Sequence, residues 1–159
     1  MKKKAIIISI KSYKLSSKEA KLFSIERPWG LILFKRNIKS LDQIKNLIRK
    51  VRKITKDPKF PIMIDEEGKT VTRLSKIIDH NLTQKFFGNV YKSNKKISIS
   101  IYKSYINNIC SILKNIGINI NTVPVLDVIR NRTNKIIGSR SFSEDPKIVK
   151  ELGKICVGQ

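Results

Sequence analysis

The feature that most limits the fold is the fifteen-residue segment Phe60–Leu74, FPIMIDEEGKTVTRL, in which an apolar run stops abruptly at Asp65 and opens into a polar turn. Pro61, Ile62, Met63 and Ile64 carry no polar side chain, the pattern of a parallel strand covered on both faces rather than of a half-solvated antiparallel one. Parallel neighbours need crossover connections of about a dozen residues or more, most often helices. Where strands and helices alternate in this way, binding groups sit just beyond the C-terminal ends of the strands. Asp65 is then the first side chain placed to meet a ligand.

The rest of the chain supplies the expected alternation. Ala5–Ile10 is rich in β-formers, and Ser16 with Glu19 has capping-box spacing ahead of a helix over Ser17–Ile25. Pro28 and Gly30 punctuate the return into a strand at Leu31–Phe34. Ser40 can cap a helix that places Leu41, Ile44, Leu47, Ile48, Val51 and Ile54 on one face, with Asp57 and Pro58 ending it before the strand Phe60–Ile64. Leu74–Asn94 is irregular and contains Gly88. A helix is expected over Lys95–Ile116, capped by Gly117, then a fourth strand over Ile118–Val123 and a long loop over Pro124–Ser143. Asp145 and Pro146 suit the start of a helix running toward Gln159. Two strand–helix–strand units of this length imply a parallel sheet, and no linker or repeat divides the chain.

Composition narrows the partners. The formal net charge is +22 and the pI near 10.2, values that raise nucleic acid or an anionic membrane as partners. The basic residues, however, are 26 Lys against 8 Arg, in a chain also rich in Ile and Asn. These three share A/T-rich codons, so base composition accounts for the excess. The lysines are spread along the chain rather than gathered in one motif, and the few aromatics do not interleave with them as stacking platforms. No specific nucleic-acid partner is expected, and at low salt only loose electrostatic binding. The opening MKKKAIIISI imitates a secretory signal, but its apolar part is shorter than the 7–15 residues, roughly, of a signal core. No apolar run approaches the roughly 20 residues of a membrane span, and Cys110 and Cys156 form neither a metal-type pair nor a disulfide framework. A cytoplasmic protein without a membrane partner is the expectation.

Three blocks in order, GLILFKRN at Gly30–Asn37, IDEEGKTVTRL ending at Leu74, and PVLDV followed by IIGSRSFSEDP at Pro124–Pro146, resemble the N-terminal half of a family 3 glycoside hydrolase of the bacterial beta-N-acetylhexosaminidase type. The resemblance implies an α/β fold, a partial (β/α)8 TIM barrel comprising its N-terminal half. It also implies a glycosidase acting on O-glycosyl bonds, releasing N-acetylglucosamine from peptidoglycan fragments during cell-wall recycling. No cofactor and no metal are implied. A complete barrel needs about 250 residues and rarely fewer than 200, against 159 here.

The family motif D-Q-E-G-G-R-V-Q-R is matched from Asp65 to Arg73, with Glu66 in the Gln position and Lys69 in that of the second glycine. By resemblance Asp65 accepts hydrogen bonds from sugar hydroxyls and Arg73 lies in the same pocket. A carboxylate can accept from two vicinal hydroxyls, and a guanidinium offers a planar fork of donors. The competing reading is an Asp that caps a loop with an Arg paired to it. Arg140, in Gly138–Phe142, matches the family's G-x-R-x-F, whose arginine reaches the sugar; the three residues are expected around one hexose-sized hollow. Glu66 and Glu67 cannot straddle a scissile bond, because adjacent side chains diverge while paired glycosidase carboxyls face each other across about 5–9 Å. A solvated or loop-stabilising role suits both. Asp127 is expected to organise its loop, and Arg36 and Asn37 to pack. His80, the single histidine, matches no motif and receives no chemistry.

The family's later K-H-F-P-G-H-G stretch, its Asp-His acid/base dyad and its nucleophilic aspartate have no match through Gln159. The expectation is that residues 1–159 are the N-terminal portion of a catalytic barrel, truncated before the catalytic motifs. No catalytic residue then lies in this chain, which alone is inactive. Its partner is an N-acetylglucosamine-containing saccharide. The alternatives are a second polypeptide that completes the barrel, a non-catalytic sugar-binding remnant, and a basic nucleic-acid-binding protein.

Overall fold

Each expected crossover brings the chain back to the same sheet. In the computed structural model, which describes residues 3–158, four parallel strands lie in the order β1 (Lys4–Ile8), β2 (Pro28–Leu33), β3 (Ile62–Ile64), β4 (Ile120–Asn121). Leu31 pairs with Ile62 and Leu33 with Ile64, while Met63 pairs with Ile120. Between β1 and β2 the register slips between Lys4 and Ile7, the mark of a bulge. The chain folds as two compact units, and the sheet belongs wholly to the first. That unit holds the residues up to Asp65 with Arg73–Asp79 and Leu113–Asn121; the second holds Glu66–Thr72, His80–Ile112 and the chain from Thr122 onward.

In the first unit, α1 (Ser17–Glu26) begins with the expected capping box between Ser16 and Glu19. The helix α2 (Leu41–Thr55) is capped by the Ser40 hydroxyl and buries Ile44, Leu47, Ile48 and Val51. Each such side chain contributes about 1.5–3 kcal/mol when removed from water. Leu41, expected on the same face, is 40% exposed, because it stands in the first turn, beyond the end of the buried stripe. Lys56, in the left-handed conformation, closes α2 with its amide on the Arg52 and Lys53 carbonyls. Phe60 lies outside β3 because its amide bonds to Asp57 O in the preceding turn, and Pro61 has no amide hydrogen to give.

β4 is shorter than the expected strand for a specific reason. The Asn119 side chain accepts from the Ile62 amide at 2.7 Å, taking a ladder position that backbone would otherwise fill. The preceding helix α4 (Lys95–Ile116) has the predicted bounds. Gly117, at φ +102°, ends it with an amide bond to Leu113 O, and Arg52 donates to the Gly117 carbonyl at 2.7 Å.

In the second unit, the stretch expected to be irregular contains a helix, α3 (Gln84–Ser93), capped by the Thr83 hydroxyl on Phe86 N. Phe87 of α3 packs on Tyr102 of α4 with ring centroids 4.7 Å apart, and Tyr102 meets Phe142 edge to face at 5.4 Å. The last helix, α5 (Pro146–Val157), opens with the Asp145 carboxylate accepting from Lys147 N at 2.8 Å and buries Ile148, Val149, Leu152 and Cys156. Burial raises both the Tyr102 phenol and the Cys156 thiol above their ordinary pKa values. Gln159, toward which this helix was expected to run, lies outside the described residues.

Candidate functional site

Asp65 directly follows the last residue of β3, and the chain returns to it eight residues later. Arg73 Nη2 donates to Asp65 Oδ2 at 3.0 Å. The Arg73 guanidinium also lies 5.5 Å from the ring centroid of Phe34, which follows the last residue of β2. The Asp65 and Arg73 side chains keep 21% and 26% of their surface in water, so a polar ligand can approach both. An ion pair like this braces a loop in either reading of the motif. Nearby, Asn37 is fully buried: its carbonyl accepts from Phe34 N and its amide donates to Ile10 O and Ser12 O, each at 2.9 Å. Arg36 donates to Ile10 O and covers the Phe34 ring. Both have the packing role expected of them.

The second unit contains the continuation of the motif. Glu67 N and Gly68 N both donate to Val71 O, making a tight turn. Gly68 takes the positive φ, +132°, and a Cβ there would lie 2.5 Å from Leu82 O. The glycine the turn requires is therefore the one retained, and Lys69 stands outside the positive-φ region. Arg140 donates from Nε and Nη2 to the two Glu67 oxygens at 2.8 and 2.9 Å, a bidentate pair with the Glu67 side chain only 7% exposed. Thr70 and Ser139 hydroxyls are bonded at 2.8 Å. Gln84, also buried, satisfies its amide when the nitrogen faces the Arg140 and Val125 carbonyls and the oxygen faces Val125 N, at 3.0–3.2 Å.

The arrangement thus brings Asp65 together with Arg73, and Arg140 together with Glu67. Glu67 is loop-stabilising as expected, but buried rather than solvated. Ser141 Oγ donates to the Asp127 carbonyl, in keeping with a loop-organising role for that residue.

Glu66, given a solvated or loop-stabilising role with Glu67, is loop-stabilising and buried, but sequence reasoning missed its partners. The Glu66 side chain is fully buried and its Oε1 lies 2.6 Å from His80 Nε2; His80 Nδ1 lies 3.0 Å from the Tyr105 hydroxyl. Burial, together with the Glu66 charge, pushes the Tyr105 pKa up to about 12. The phenol is therefore protonated at neutral pH, and His80 bridges it to the Glu66 carboxylate through its two ring nitrogens. No spacing rule links Glu66, His80 and Tyr105; their meeting is a product of the fold.

Among the described residues no helix is long and apolar enough to cross a membrane, and no three His, Cys, Asp or Glu side chains cluster as metal ligands.

The profile of the Glycosyl hydrolase family 3 N terminal domain matches residues 3–158. A beta-hexosaminidase of Xanthomonas campestris pv. campestris is 27% identical over 152 residues, covering 96% of this chain and 45% of the relative. One from Stenotrophomonas maltophilia is 26% identical, covering 91% and 42%. The chain spans about half the length of the curated relatives it matches. Among solved structures, NagZ from Neisseria gonorrhoeae in complex with N-trifluoroacetyl-D-glucosamine superposes with TM-score 0.87 at 23% identity, over 97% of this chain and 46% of NagZ. A family 3 beta-N-acetylglucosaminidase from Paenibacillus sp. gives TM-score 0.81 at 26% identity, over 96% of this chain and 28% of that one. The four parallel strands with their crossover helices are accordingly those of a partial (β/α)8 barrel. With its whole described length matched, the chain belongs to glycosyl hydrolase family 3.

Proposed function

We propose that residues 1–159 form the N-terminal portion of the catalytic barrel of a beta-N-acetylhexosaminidase, and that Asp65, Arg73 and Arg140 bind the N-acetylglucosamine unit of a peptidoglycan fragment. The observation that carries this reading is the partly exposed Asp65 carboxylate, ion-paired with Arg73 just past the C-terminal end of β3, in a chain similar along almost all its length to beta-hexosaminidases. Asp65 accepts hydrogen bonds from neighbouring ring hydroxyls, and the two guanidinium groups donate to ring or acetamido oxygens. Together these contacts orient the ring for attack at its anomeric carbon.

Bond cleavage with retention requires a nucleophilic carboxylate and a separate acid/base. Neither role is assigned to a residue of this chain. In this reading they belong to the part of the barrel beyond the half that residues 1–159 match. The reaction takes place in the cytoplasm, as a step in the recycling of cell-wall fragments.

Calorimetry with N-acetylglucosamine is expected to detect binding to the purified chain, and Asp65→Ala to abolish it. Unchanged affinity in Asp65→Ala would remove Asp65 from the site. A chromogenic N-acetylglucosaminide is expected to show no turnover with the same preparation, and robust turnover would overturn the assignment of cleavage to groups outside it.

A further inference from the structure

We propose that His80 is a positioning residue for the sugar-binding loop, holding the Glu66 carboxylate so that Glu67, next along the chain, keeps Arg140 aimed. This rests on the reading of Arg140 as a sugar-binding group.

Glu66 and Glu67 follow one another in a backbone segment that is neither helical nor part of a strand. Their side chains serve different anchors: Glu66 meets His80 at 2.6 Å, whereas Glu67 holds Arg140 by two hydrogen bonds. The loop is clamped at two successive residues, which determines its rotation about the chain axis as a single anchor does not. The Glu66 clamp is also the more demanding one. A buried carboxylate without a donor loses its hydration with nothing in return, and His80 Nε2–H is a donor to it. Tyr105, hydrogen-bonded to Nδ1 at 3.0 Å, fixes the orientation of the imidazole that makes this possible. Hydroxyl and imidazole act in series from α4 to the loop. Gly68 lies under the same hydroxyl, with its hypothetical Cβ 3.4 Å from Tyr105 Oη. The family motif has a neutral Gln where this chain has Glu66.

The test uses the whole chain, with two readouts. One is the dissociation constant for N-acetylglucosamine. The other is hydrogen exchange of the Arg140 Nε–H by NMR, which reports directly on the Glu67–Arg140 pair. His80→Ala is expected to weaken sugar binding about tenfold, the usual scale for losing a residue that orients a ligand-binding group, and to speed the Arg140 exchange by about the same factor. His80→Gln, whose amide nitrogen is a donor able to serve the same carboxylate, is expected to restore both. Should His80→Ala fail to fold because it takes a donor from a buried carboxylate, His80→Ala combined with Glu66→Gln replaces that carboxylate by a neutral amide and is expected to show the same two losses. Wild-type exchange in either folded variant overturns the proposal, as does wild-type affinity. If the parent chain binds no N-acetylglucosamine, the sugar-binding reading fails by itself, and the exchange measurement still decides whether His80 positions Arg140.

Discussion

Glu19 shows how one side chain can serve two purposes. Its Oε2 accepts from the Ser16 amide at 2.8 Å, completing the capping box, and its Oε1 accepts from the Lys11 amide at 2.8 Å, securing the loop that leads to α1. Burial is the largest single influence on its pKa and acts upward, but the Ser16 hydroxyl and the two amides together outweigh it, leaving the carboxyl below its ordinary 4.5. A carboxyl depressed in the folded state stabilises the fold above its unfolded pKa, and that contribution disappears as pH falls through the folded value. Glu19→Ala is therefore expected to lower unfolding free energy by about 1 kcal/mol at pH 7, with the difference from the parent shrinking as pH drops below 4.5. Urea titrations at a series of pH values measure this, and a deficit that stays constant down to acid pH would contradict it. At Asp65, Glu66 and Glu67 the same scale governs function: three consecutive carboxylates have Arg73, His80 and Arg140 as partners, and residue type alone distinguishes none of these fates.

At the scale of elements, α2 and α4 were legible because their signals are local. The stripe Ile44, Leu47, Ile48, Val51 follows the helical period, and Gly117 is where a left-handed cap was needed. The helix α3 was not legible, because Gly88 in its middle reads as a breaker. Its purpose is spatial. A Cβ at Gly88 would lie 1.8 Å from Phe142 O and 2.7 Å from Phe142 C, both backbone atoms. Gly88→Ala consequently sets two effects against each other: a gain of about 1 kcal/mol in helix propensity and an overlap with rigid backbone that forces α3 away from Phe142. The overlap dominates, and a net loss of at least about 2 kcal/mol is expected. Chemical denaturation of Gly88→Ala checks the sign directly, since a stabilised variant would show that α3 shifts freely.

At the scale of the whole molecule, charge is the dominant property. With 34 basic against 12 acidic side chains, repulsion acts throughout the folded chain, and exposed pairs such as Lys92–Glu144 and Lys4–Glu26 contribute little against it. Raising NaCl from about 20 to about 200 mM shortens the screening length from roughly 20 Å to roughly 7 Å. The thermal midpoint is expected to rise by several degrees over that range, followed by circular dichroism; a falling midpoint would mean that the ion pairs outweigh the repulsion.

The order of the four strands and of the helices other than α3, the N-terminal caps of α1, α2 and α5, and the buried face of α2 were fixed locally along the chain, because hydrogen-bonded turns and apolar periodicity operate between residues a few positions apart. The same local grammar put Asp65 at the end of its strand. Tertiary structure alone decided which partners Glu66 and Glu67 acquired. The Glu67–Arg140 pair spans 73 residues and the Glu66–His80 pair crosses a loop. Such contacts depend on which way a loop faces once the helices around it have packed, and no spacing along the chain encodes that direction.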